Sequence, residues 1–187
     1  MRNGHDTRSD FPLAPVAAAV GLVTGLALGA SRKLAAHVAQ TLTGEWSDTL
    51  KAEHLMVVEA FDAIEATAPE NERRRVRLLT RLKSAIEKHA WQEENVIYPA
   101  VRLAGAGEAA SSLIDDHAEV KALLFELDGA DPGADGWRDL VRRLRTLLEA
   151  HMRKEENEIF PALQAALSPE QSVELTAAIH RAAARLD

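Results

Sequence analysis

The sequence predicts an all-α protein: an up-down-up-down four-helix bundle of two pseudo-symmetric helical hairpins, with an extra N-terminal Gly/Ala-rich helix and a C-terminal helix. Three observations predict it. Apolar residues recur at three-and-four spacing through most of residues 45–167. The chain is rich in Ala, Leu, Glu and Arg but holds four Phe and one Tyr, a balance that favours helices over sheets. And EKHAWQEENVIYPAV at 87–101 returns as EAHMRKEENEIFPAL at 149–163, an offset of 62 residues. Residues 45–187 form the bundle domain in this reading, and residues 1–44 lie outside it.

Residues 45–66 make the first helix, with Leu50, His54, Val57, Val58, Phe61 and Ile64 on one stripe. APEN (68–71) breaks the pattern. A second helix from about Glu72 to Leu103 turns Leu78, Leu79, Leu82, Ala85, Ile86, His89, Glu93, Val96 and Ile97 inward. Pro99 removes a backbone donor and crowds the preceding turn, so it is expected to bend or end this helix. GAG (105–107) is a turn, and Glu108–Leu127 is the third helix. DGADPGADG (128–136) is a second clear break. The fourth helix runs from Trp137 to about Leu167, again with a proline, Pro161, after an aromatic. Ser168-Pro169-Glu170-Gln171 reads as a helix start, with Ser as cap, Pro at the first position and Gln closing a capping box. The last helix then runs to about Arg185.

The duplication is wider than fifteen residues. AEHLMVVEAFDAIE (52–65) is answered by DDHAEVKALLFELD (115–128), each with an acid before its histidine. Each hairpin, 45–103 and 108–167, thus carries one lone histidine and one His-x-x-x-Glu pair. Residues four apart share a helix face, so His89 with Glu93, and His151 with Glu155, each aim two donors at one point. Antiparallel hairpins add His54 and His117. Apolar neighbours in the same phase turn this face inward, where an unpaired carboxylate is costly. One such pair is an ordinary helix feature; the matched second copy points to metal. Nitrogen and oxygen donors without sulfur suit iron, manganese or zinc, and six ligands with two bridging carboxylates suit a pair of ions. Ferritin-like sites use Glu-x-x-His, acid first, and neither pair has that form. The absence of cysteine removes disulfides, thiolate-bound zinc and iron–sulfur clusters. A net charge of −7 argues against nucleic acid as the main partner.

On these residues the sequence resembles the hemerythrin-like family, also called the hemerythrin HHE cation-binding domain. His54, His89-x-x-x-Glu93, His117 and His151-x-x-x-Glu155 stand in the family's order, and EENVIYP and EENEIFP look like its habitual acidic run ending in an aromatic and proline. The resemblance covers about residues 45–167. It implies two iron ions in the bundle core, a non-haem di-iron centre with an oxo or hydroxo bridge, both glutamates bridging and each histidine terminal. It also implies a small diatomic or peroxide ligand, since relatives carry dioxygen, sense oxygen or iron, or react with nitric oxide or peroxide. Oxygen carriers place a further histidine where this chain has Lys121. Unless Tyr98, Glu59 or a water fills in, one position is left open, and open positions favour chemistry over reversible carriage. The expectation is therefore redox reactivity toward peroxide or nitric oxide; the alternative is a non-enzymatic oxygen- or iron-sensing module acting through a partner. The Lys121 ammonium is expected either near the site as a proton donor or snorkelled to the bundle surface.

The remaining residues read more plainly. Glu94 and Glu156 look like solvated flanking acids, and Asn95 and Asn157 recur without an evident role. His5, His37 and His180 fall outside the duplicated frame. The arginines of 73–83 and 137–148 read as solvated faces remote from the metal motifs. PLAPVAAAVGLVTGLALGA (12–30) has no charge over 19 residues, with Gly21, Gly25 and Gly29 at four-residue spacing. It is long enough to span a bilayer and suited to close helix packing. Ala and Gly drive insertion weakly, however, and the mixed charges of MRNGHDTRSD are poor for a signal peptide. The expectation is a cytoplasmic protein with a homo-oligomer contact or membrane association through residues 12–30. In the second case Arg32 and Lys33 keep the metal domain in the cytoplasm.

Overall fold

A computed structural model describes residues 45–68 and 70–185. His5, His37 and the segment 12–30 lie outside the described residues. All regular structure among the described residues is helical. Helix α1 spans Trp46–Glu65 and α2 spans Glu72–Gln92. Pro99 does not end this second rod: it passes through one wide π-turn, Glu93–Ile97, and continues as α3, Tyr98–Leu103. The second half repeats the plan, with α4 at Gly107–Gly129, α5 at Asp135–Lys154, a π-turn at Glu155–Ile159 and α6 at Phe160–Ala166. Helix α7, Pro169–Ala183, follows.

The two prolines account for the two π-turns. A proline inside a helix has no N–H to donate, and its ring collides with the carbonyl four residues back. Widening one turn, so that the Tyr98 N–H reaches the Glu93 carbonyl, absorbs the misfit without breaking the rod. The recurring asparagines serve this turn. Asn95 Nδ2 donates to the Trp91 carbonyl and Asn157 Nδ2 to the Arg153 carbonyl, each at 2.8 Å. Between α3 and α4 the chain reverses at Gly105, whose φ of +91° a side chain would strain. The capping box at the start of α7 is complete: the Ser168 hydroxyl accepts from the Gln171 N–H, and the Gln171 side chain accepts from the Ser168 N–H.

Helix α1 packs on α2, α4 packs on α5, and α1 packs on α5; α7 lies against α1, α2 and the first π-turn. The Trp46 N–H donates to Thr176 Oγ1 at 3.1 Å, which ties the start of α1 to α7. The core is in two blocks. One holds Val57, Phe61, Leu82, Leu124, Trp137 and Leu144; the other holds Trp46, Leu50, Ile97, Leu113, Phe160 and Ile179. Along each rod a histidine stands where one block gives way to the other: His54 between Leu50 and Val57, His89 after Ile86, His117 between Leu113 and Val120, His151 after Leu148. A polar layer therefore crosses the core.

One arginine departs from the solvated face expected of residues 73–83. Arg75 is 1% exposed, donates through Nη1 to the Pro132 carbonyl, and lies 5.7 Å over the Trp137 ring. It pins the α4–α5 connection to α2, and its stem and plane give it apolar and cation–π contact that a lysine would supply less well. No helix among the described residues is long and apolar enough to cross a membrane.

Candidate metal centre

The structure brings His54, His89, Glu93, His117, His151 and Glu155 together, all buried. The Nε2 atoms of His54 and His89 are 2.9 Å apart, and those of His117 and His151 are 3.1 Å apart. The glutamates lie between these pairs. Glu93 offers Oε1 to His89 Nε2 at 3.1 Å and Oε2 to His117 Nε2 at 3.4 Å. Glu155 Oε2 is 3.4 Å from both His54 Nε2 and His151 Nε2. Two groups of converging donors result: His54, His89, Glu93 and Glu155, and Glu93, His117 and His151, with the donor atoms of each group within 4.8 Å of one another.

Every imidazole that turns Nε2 inward gives Nδ1 to a carboxylate. His89 meets Glu53 at 2.9 Å and His151 meets Asp116 at 3.2 Å, each within its own hairpin. His117 meets Glu94 at 2.9 Å and His54 meets Glu156 at 2.7 Å, each across to the other hairpin. Such partners fix the tautomer that leaves Nε2 free to ligate, and they orient the ring. Glu94 and Glu156 are thus not the solvated acids that the sequence suggests. Glu53 and Asp116 are the acids before the lone histidines; their repetition was the signal, though it did not reveal that each serves the neighbouring helix. Gln92 Nε2 in turn donates to both oxygens of Glu53, at 3.0 and 3.1 Å.

Other expected residues fall elsewhere. Glu59 is exposed, and His180 is outside both donor groups. The Lys121 ammonium does not sit beside the ligands. It is exposed and pairs with Glu94 at 2.8 Å, so it reaches His117 only through that carboxylate. Tyr98 is at the centre: fully buried, its hydroxyl donates to Glu155 Oε1 at 2.9 Å or Glu93 Oε2 at 3.2 Å.

The six side chains are electrostatically coupled. Burial raises the pKa of Glu93, but His89, His117 and His54 outweigh it and hold the carboxyl well below its usual range. Burial, then the charge of Glu93, raises Glu155. Burial lowers His54, His89 and His117, yet the surrounding carboxylates lift all three above an ordinary imidazole. Burial, then the two glutamate charges, pushes the Tyr98 phenol far up. Glu93 Oε1 and Glu155 Oε2 are buried and accept no hydrogen bond, although such oxygens normally find a partner. They face the histidine nitrogens and fit cation binding. Metal uptake must then expel imidazole protons. Loading the metal-free protein should acidify a weakly buffered indicator solution. Because the imidazole pKa values are raised, protons compete from a higher pH than usual, and metal retention should fall as pH drops through those values.

An apolar cavity of about 260 Å³ reaches His89, His117 and His151 from the side of α2 and α4. Val57, Ile86, Val120, Leu124, Leu148 and Met152 line it, and the exposed Lys121 and Phe125 stand at its mouth. Lys83, Glu87 and Asp128 also line it.

Comparison with known proteins gives the family and the fold. The family model described as Hemerythrin HHE cation binding domain matches residues 47–163. The crystal structure of a hemerythrin HHE cation binding domain-containing protein from Mycobacterium kansasii superposes with a TM-score of 0.63. It is 24% identical, and the match covers 77% of this chain and 86% of that one. A curated protein of Nostoc sp., named DNA nickase, is 39% identical over 85 residues, 45% of this chain; the chain spans 24% of that relative's length.

Proposed function

Because the chain belongs to the hemerythrin HHE cation-binding domain family, we propose that the buried cluster holds two non-haem iron ions and that this pair binds or reacts with dioxygen, peroxide or nitric oxide. The four long rods are then an up-down-up-down bundle around the pair. His54 and His89 would hold one ion and His117 and His151 the other, with Glu93 and Glu155 offering a carboxylate to both. The carrying observation is the orientation of the donors. Four Nε2 atoms and two partnerless carboxylate oxygens converge, while four outer carboxylates hold every imidazole in the ligating tautomer. Nitrogen and carboxylate donors without sulfur suit iron. When bound, the pair supplies redox equivalents and Lewis acidity toward a small oxidant.

The chain's own residues do the rest. The largely apolar cavity has room for a small uncharged molecule beside His89, His117 and His151. Glu94, paired with Lys121, holds His117 in place and keeps the ammonium two hydrogen bonds from that ligand. Lys121 supplies no ligand, which leaves room for an exogenous one and favours reactivity over carriage. Residues 1–44 are proposed to lie outside the bundle, serving self-association or a membrane contact. The activity in the name of the Nostoc protein is not proposed for this chain, because a net charge of −7 opposes a polyanion.

Iron-reconstituted protein should contain about two irons per chain, show an oxo-to-iron band in the near ultraviolet when oxidised, and consume hydrogen peroxide. One tightly held zinc per chain, with no such band after iron loading, overturns the di-iron reading. Two irons with no peroxide or nitric oxide consumption would leave a sensing module acting through a partner.

A further inference from the structure

The long rods do not meet equally. Helix α1 packs on α2 and on α5, and α4 packs on α5; α2 and α4 pack much less closely, and the cavity lies on that side. Two ion pairs cross the gap at its rim: Lys83 of α2 with Asp128 of α4, and Glu94 of the first π-turn with Lys121 of α4. Lys121 and Asp128 are seven residues apart, so the pairs stand about 10 Å apart along α4. Between them the walls are buried aliphatic side chains and the Met152 thioether. The space is far larger than a diatomic or peroxide requires. One water-sized ligand needs about 10–15 Å³, whereas the cavity offers about 260 Å³, approaching the size of pockets that take organic molecules.

We propose that this cavity is a binding site for an uncharged organic molecule with a hydrocarbon body and one polar end. The body lies along the aliphatic walls, and the polar end faces His89, His117 and His151. The absence of charge follows from the rim. Lys83 and Lys121 are balanced among the lining residues by Glu87 and Asp128, and each ammonium already has its carboxylate, so neither sign of headgroup is favoured. A protein face fits less well. Of the large apolar side chains exposed among the described residues, only Phe125 borders the cavity, and a protein interface needs a wider apolar centre. The site is built from the chain's own walls and goes beyond the iron reading.

Full-length metal-free protein with isotope-labelled methionine methyl groups tests this by NMR, because Met152 lines the cavity and Met56 does not. Titration with n-butanol, n-hexanol and n-octanol should shift the Met152 methyl signal and leave that of Met56 in place. Kd should fall about fourfold for each added methylene. Ala90 lines the cavity but belongs to neither core block, so Ala90→Leu should fill space and raise the Kd for n-octanol roughly tenfold. A wild-type Met152 signal that does not respond, or a Kd independent of chain length, overturns the proposal whatever the variant does. A Met152 signal that moves with protein concentration instead of alcohol means that a second copy fills the cavity, and overturns it too. None of these outcomes depends on iron content, so this site and the di-iron reading stand or fall separately.

Discussion

Glu93→Gln and Glu155→Gln should each prevent stable loading of the metal pair, whereas Glu94→Gln and Glu156→Gln should load it with roughly ten- to a hundredfold weaker affinity. The four glutamates are adjacent in sequence, and the substitutions are chemically identical. What separates them is which atom they face. Glu93 and Glu155 turn carboxylate oxygens without hydrogen bonds toward the Nε2 atoms of both hairpins. A glutamine there halves the donor oxygens and removes the charge that offsets the cations. Glu94 and Glu156 face Nδ1 of His117 and His54; a glutamine oxygen still accepts from that N–H, but it no longer raises ligand basicity as a carboxylate does. Competition with a chelator, followed optically, orders the four. Equal affinities across the set would show that the inner and outer roles are misassigned. Stability offers a second measure. At free metal a thousandfold above Kd, the wild type should gain about 4 kcal/mol, and Glu93→Gln should gain almost nothing under the same conditions.

Phe61→Ala should cost about 3–5 kcal/mol and lower Tm by roughly 6–20 °C for a chain of this size. Phe61 has no exposed surface and sits in the block formed with Leu82, Leu124 and Leu144. Close-packed neighbours on three other rods limit how far the site can collapse. Phe125 is the control: it is 81% exposed at the cavity mouth, so Phe125→Ala should stay within about 0.5 kcal/mol. Urea unfolding of both variants in the metal-free state checks this without interference from ligand linkage. A small loss at Phe61 would mean that this block is loosely packed.

The hairpins and the six inward donors were legible because both obey the helical period. His89 and Glu93 are four apart, and so are His151 and Glu155, and each pair sits among apolar residues of the same phase. The outer acids were hidden for the same reason. On a regular helix Glu94 points about 100° away from Glu93, which reads as solvent; here its side chain reaches His117 on another rod from the flank of the π-turn. That turn itself was visible only as a proline expected to bend or end the helix. The sequence marks the missing donor, but the choice between ending the rod and widening one turn depends on how α3 and α6 pack afterwards. Arg75 was concealed by company. It lies among Arg73, Arg74 and Arg77, and only the fold shows that it alone turns inward to Trp137 and Pro132.

The polar layer across the core also governs how the rods can slide. Two purely apolar blocks would tolerate displacement of one rod by a turn, about 5.4 Å, since leucine then meets leucine. With the layer present, the same slip sets a glutamate against Leu113 or Val120 and strands a histidine away from its carboxylate. Buried polar residues that fix alignment in this way are a recognised use of otherwise costly groups. The cluster is therefore an alignment key as well as a cation site. A variant that replaced all six side chains by leucine should trade a unique arrangement for several of similar energy, seen as broadened amide resonances in its NMR spectrum.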